Sequence, residues 1–79
     1  MTLYEFNALS EDEKANAVWA GSFLADRAEN ELTVQLYAVS NFYVEVFYDP
    51  QENRMVDFRP FNTKNLLVPY LAHIKFNIH

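Results

Sequence analysis

Few side chains in this sequence could do chemistry. His73 and His79 stand near the C-terminus with no cysteine anywhere in the chain and no His-Glu-x-x-His spacing, so a metal site would have to be gathered from distant segments. His73 reads instead as a late helix residue interacting with the negative end of the helix dipole. No serine stands in a nucleophile elbow, and a single glycine, Gly21, cannot build a phosphate-cradling loop. Glu45 and Asp57 are the carboxylates a sheet could bring together, with Arg59 close by. Acid–base catalysis needs such a pair poised in a concave site, whereas two acids beside an arginine on an open sheet are solvated and neutralised. No catalytic residue, cofactor ligand or metal ligand is assigned on these grounds, and the chain reads as a non-enzyme.

The element that must position Glu45 is the run Phe42-Tyr43-Val44-Glu45-Val46-Phe47-Tyr48. Apart from Glu45 it is wholly aromatic or β-branched, which fits a strand and not a helix. Phe42, Val44, Val46 and Tyr48 then point to one side and Tyr43, Glu45 and Phe47 to the other. This predicts an interior strand with one apolar face and a half-wet reverse face.

Around that strand the periodicity predicts an α+β domain spanning residues 1–79. Leu3, Tyr4, Phe6 and Leu9 share a helical side, giving a short helix from about Thr2 to Ala8. Ser10 and Glu13 form a capping box, and the triplet Glu11-Asp12-Glu13 falls in the first turn of a second helix, where the dipole favours negative charge. Ala15, Val18 and Trp19 make its apolar stripe, with Trp19 a core or core-rim anchor, and Gly21 is expected as a left-handed cap. Strands follow at Ser22 to Ala28, Glu31 to Val39, Phe42 to Asp49 and Arg54 to Phe61. The short links between them force a four-stranded antiparallel meander of order 1-2-3-4. A three-residue Val39-Ser40-Asn41 loop with Asn41 left-handed would set Leu36 opposite Val44 and Val34 opposite Val46, so that Leu32, Val34 and Leu36 join the apolar side of the central strand, whereas a two-residue Ser40-Asn41 turn would put Leu36 opposite Glu45; the first pairing is expected, and Val56 and Phe58 join the core face by the same logic. Phe23 and Ala25 are expected inside, with Asp26 and Arg27 blunting an edge strand. Pro69 dates one C-terminal helix, from about Asn65 or Leu66 to about Ile74, with Leu67, Tyr70, Leu71 and Ile74 against the sheet and all helices on one sheet face; residues 75–79 read as a tail that frays.

Composition sets the outer bounds. The chain has 79 residues, 51% of them hydrophobic and 16% aromatic, so large rings can build a core although a domain this small buries only roughly 60–65% of its unfolded surface. The absence of cysteine removes disulfides and fits a reducing cytoplasm. The N-terminus lacks a signal-peptide pattern, and no apolar run is long enough to span a bilayer. A net charge of −5 repels phosphate backbones and anionic lipid, which argues against nucleic-acid and membrane partners.

In the segments Leu3-Tyr4-Glu5-Phe6-Asn7, Phe42-Tyr43-Val44-Glu45-Val46 and Pro69-Tyr70-Leu71 the sequence resembles a group of short uncharacterised bacterial proteins of about this length. The resemblance covers nearly the whole chain and implies a stand-alone bacterial domain; no activity comes with it.

The expected reverse sheet face supplies the functional reading. Tyr37, Tyr43, Glu45, Phe47, Met55, Arg59 and Phe61 would form an aromatic patch around an Arg59–Glu45 pair, a composition typical of interface centres. Either the tail or the first helix covers this patch as core, or it binds another protein, with a second copy of the chain as one candidate. The sequence thus predicts a small acidic protein–protein interaction module. The alternative is a domain binding a small apolar or aromatic ligand between helices and sheet, near Trp19 and Tyr70.

Overall fold

The computed structural model describes residues 1–62 together with Leu67 and Tyr70. Two helices, α1 (Leu3–Asn7) and α2 (Glu11–Trp19), precede four strands, β1 (Ser22–Glu29), β2 (Leu32–Val39), β3 (Phe42–Asp49) and β4 (Arg54–Phe61). The strands form one antiparallel sheet of order β1-β2-β3-β4, so the α+β meander is the observed architecture. Apart from Leu67 and Tyr70, the expected C-terminal helix lies outside the described residues. No helix among the described residues is long and apolar enough to cross a membrane.

Both helices open on reciprocal capping boxes. The Ser10 hydroxyl accepts from the Glu13 N–H at 3.2 Å while Glu13 accepts from the Ser10 N–H at 2.9 Å; Thr2 and Glu5 repeat the arrangement at 3.1 and 2.7 Å. Hydrogen bonds from the cap backbone, and then from the cap hydroxyl, hold both carboxyls below their ordinary range. The end of α2 differs from expectation. Ala20 closes the helix in right-handed geometry, the Gly21 N–H donates to the Val18 carbonyl at 2.9 Å, and Gly21 has no positive φ. Glycine is needed there for closeness: a Cβ on Gly21 would lie 2.4 Å from the Ala38 carbonyl oxygen of β2.

The hairpin turns set the register. Asn30 and Glu31 both have positive φ, 49° and 69°, the primed geometry that matches strand twist. Val39 pairs with Phe42, so the second turn is the two-residue Ser40-Asn41, with Ser40 and not Asn41 left-handed. Leu36 therefore sits opposite Glu45 and Val34 opposite Phe47, one residue away from the expected register. The expectation assumed a single buried face, on which a one-residue slip would be prohibitive. Both faces are buried here, so the slip forfeits no apolar burial and the tighter turn decides. At the third turn the Asp49 carboxylate accepts from the Gln51 and Glu52 N–H groups at 2.9 and 3.3 Å.

The slip sorts the core into two layers. On the helix face Phe6 and Val18 pack with Val39, Phe42, Val44 and Val46, flanked by Tyr37 and Phe58; α1 lies over β4 and α2 over β2. On the far face Ala25, Val34, Leu36, Phe47 and Phe61 pack beneath Leu67 and Tyr70. The C-terminal residues that are described thus sit across the sheet from α1 and α2, against the expectation of one shared face. Bulges account for two further departures. One between Phe23 and Ala25 leaves Phe23 opposite Tyr37 and largely exposed while Ala25 turns inward, and one opposite Phe47 and Tyr48 leaves Val56 exposed instead of buried with Phe58.

Candidate functional site

Strand alternation points Tyr43, Glu45 and Phe47 to the far face, as the sequence predicts, but that face is closed. Glu45 is 2% exposed, the only buried charged residue among the described ones. Its Oε2 accepts from Arg27 Nη2 at 2.9 Å and from the Tyr70 hydroxyl at 2.5 Å, and Arg59 Nη1, from the directly opposed position on β4, lies 3.8 Å from Oε1. A buried carboxylate requires such compensation. Arg27 lies with its guanidinium carbon 5.3 Å from the Tyr70 ring centroid and also meets Glu29 at 3.4 Å; its Nε has no partner among the described residues. Arg59 lies 5.0 Å over the Phe47 ring. Burial first, and then the hydrogen bond to Glu45, pushes the Tyr70 phenol well above its ordinary pKa.

The chemistry of this cluster is that of a clamp. Tyr70 stays a neutral donor, Glu45 spends its oxygens on three cationic or hydroxyl partners, and the result ties a C-terminal residue to the centre of the sheet. Glu45 and Asp57, the carboxylates a sheet could bring together, have different surroundings: Glu45 is buried, whereas Asp57 is exposed, its carboxylate accepting from the Phe58 N–H at 2.9 Å. Among the described residues no three His, Asp or Glu side chains are placed to hold a metal ion, and His73 and His79 lie outside the described residues.

The expected interaction face is redistributed. Glu45, Phe47 and Phe61 are buried, and Tyr43 is half-buried with its ring stacked on Phe61 at 5.5 Å. Arg59 stays about half exposed over Phe47, and Met55 is exposed beyond the β4 bulge, opposite Tyr48. Tyr37 lies on the opposite face from the one assigned, a direct result of the register slip. The patch as expected is therefore corrected: most of it is a second core, roofed by Leu67 and Tyr70. The alternative ligand site is likewise not one place, because Trp19 contacts Tyr37 at the helix face while Tyr70 belongs to the far-face core.

A different set of rings is brought together instead. Trp19 at the end of α2 meets Tyr37 edge-to-face at 5.4 Å and 62°, and Phe23 at the start of β1 meets the same ring at 5.5 Å and 72°. Tyr37 is half-buried, its hydroxyl 3.5 Å from Gln35 Oε1, and burial raises its phenol pKa. Trp19 and Phe23 remain 46% and 53% exposed. Gly21 explains the meeting, since its close approach to Ala38 brings the end of α2 down beside Tyr37. The sequence signals were Gly21, read as a left-handed cap, and the two-residue Ser40-Asn41 turn, set aside for a three-residue loop.

Compared with family models, curated proteins and solved structures, the chain matches none of them.

Proposed function

We propose that the protein is a protein–protein interaction domain whose contact surface is centred on Trp19, Phe23 and Tyr37. The observation that carries this reading is the half-exposure of two large rings locked edge-to-face onto a third, at the β1 rim of a sheet that carries a core on each face. Rigid aromatic clusters of this kind supply interface hot spots, because they bring apolar area with little rotamer entropy to lose. At roughly 150–250 Å² per aromatic side chain, half-exposed Trp19 and Phe23 offer on the order of 200 Å². That suits the centre of an interface whose full extent is about 800 Å² per partner, with polar surroundings forming the rim. An acid–base enzyme has less support, because both Glu45 oxygens are already engaged beneath Tyr70.

Trp19 is the only tryptophan in the chain, which makes the test direct. Acrylamide should quench its emission as it quenches an open indole, and binding or self-association should weaken in Phe23→Ala while the circular dichroism is unchanged. A Trp19 shielded from quencher in the isolated chain would show the cluster to be covered and would remove the proposal.

A further inference from the structure

Resting on that reading, the occupant can be narrowed by charge. We infer that the Trp19–Tyr37–Phe23 surface receives a basic polypeptide segment, whose arginine or lysine side chains stack on the rings and pair with carboxylates beside them. Each basic side chain among the described residues is committed elsewhere. The Lys14 ammonium lies 5.9 Å over Phe6, Arg27 serves Glu45 and Glu29, Arg54 meets Glu52 at 3.6 Å, and Arg59 covers Phe47. None of these contacts is with the aromatic trio.

Carboxylates do flank it. Asp26 pairs with Gln35 just as Phe23 pairs with Tyr37, so Asp26 stands on the same sheet side, about 7 Å along the strands. Asp12 precedes Trp19 by two helical turns and shares its side of α2, roughly 10 Å away along the axis. Both are exposed, and neither forms an ion pair or side-chain hydrogen bond among the described residues. Rings with acids beside them, and with no cation against them among the described residues, form a site for guanidinium or ammonium groups, which gain from the ring faces and from the carboxylates together.

The same charges argue against other occupants. Phosphate backbones are repelled by a chain of net charge −5, and a second copy would set Asp12 and Asp26, unpaired among the described residues, against their own kind. Strand addition at the β1 edge is interrupted beside Phe23 by the bulge before Ala25.

The test is titration of the full chain, followed by Trp19 emission, with three synthetic peptides of equal length that are arginine-rich, neutral or glutamate-rich. The arginine-rich peptide should give a saturable change, weakened about tenfold or more by salt at about 0.5 M. Phe23→Ala should weaken it about tenfold and Asp26→Asn about threefold, both positions being exposed enough to leave folding intact. Equal binding of the neutral or acidic peptide, or self-association by sedimentation that Phe23→Ala abolishes, would overturn the basic partner while leaving the surface itself in place. Arginine-peptide binding indifferent to Phe23→Ala would be attraction to net charge alone and would overturn the inference. No response from any peptide and no self-association, with Trp19 shielded from acrylamide, would overturn inference and surface together.

Discussion

Tyr70→Phe removes one hydroxyl and keeps the ring, so it isolates the clamp from the packing. The lost interaction is a 2.5 Å hydrogen bond from a fully buried phenol to a fully buried carboxylate. Hydrogen bonds to charged groups contribute about 1.5–3 kcal/mol; the lower part of that range is expected here, because Arg27 and Arg59 continue to compensate Glu45. A loss of about 2 kcal/mol is large against the roughly 4–12 kcal/mol that a chain of 79 residues has in total. With a urea m-value near 1–1.5 kcal/mol per molar, the midpoint should fall by roughly 1–2 M at unchanged slope. The assay is urea unfolding followed by circular dichroism and Trp19 emission. A second readout comes from pH. Because the folded phenol titrates above its unfolded value, the contribution of Tyr70 is intact below the ordinary phenol pKa of about 10 and declines as pH rises beyond it, where the unfolded chain ionises first. The alkaline loss of stability should therefore be smaller in Tyr70→Phe, though not abolished, since burial also raises Tyr37. A midpoint moved by less than about 0.3 M, together with a wild-type minus mutant phenolate difference curve centred near 10, would refute the clamp.

Three further outcomes follow from the same geometry. Gly21→Ala places a methyl 2.4 Å from a backbone oxygen that cannot rotate away, so a loss of about 1–3 kcal/mol is expected, read as a fall in melting temperature of roughly 5–20 °C; an unchanged melt would mean that α2 does not press on β2 as described. Glu45→Ala should cost about 3–5 kcal/mol, and adding Arg27→Met should recover part of it by removing the guanidinium left unpaired, a coupling that a double-mutant cycle measures and that strict additivity would deny. Since the cap backbone holds Glu5 and Glu13 below their ordinary range when folded, their contribution is present above that range and is lost as pH falls through the lowered values; Glu5→Gln with Glu13→Gln should flatten this acid limb, and an unaltered limb would count against the capping boxes.

The strands were legible because local chemistry and global fold agree along them. The Phe42–Tyr48 run has the bounds its alternation predicts, and Ser10 with Glu13 marks the start of α2 to the residue. Thr2 and Glu5 carry the same spacing as Ser10 and Glu13, so the first box was equally available to inspection. What could not be read was which faces of neighbouring strands go together. Alternation in β2 gives two sets, Val34 with Leu36 and Tyr37 with Val39, and each is apolar enough for a core. Only knowledge that Leu67 and Tyr70 return to the far face reveals that Glu45 can be buried, and hence that Leu36 can sit opposite it. Gly21 shows a related ambiguity. A glycine after a helix fits a left-handed cap and a close backbone approach equally well, and only the position of Ala38 distinguishes them.

Closing the far face also changes what the exposed rings mean. Had Tyr43, Phe47 and Phe61 stayed open, Trp19 and Phe23 would have been two more apolar residues on a surface already rich in them. With those rings packed under Leu67 and Tyr70, and with Phe6 and Val18 filling the other face, both cores are complete without the exposed halves of Trp19 and Phe23. Folding gains little from a tryptophan left 46% in water, and a smaller apolar residue at that helix end would pack against Tyr37 at less risk of aggregation. The rings lie at the rim where α2 meets the sheet, flanked by the exposed Asp12 and Asp26, so the feature that packing does not explain coincides with the one that charge makes selective. That coincidence, more than the size of the patch, is why the surface and its basic partner belong to one reading.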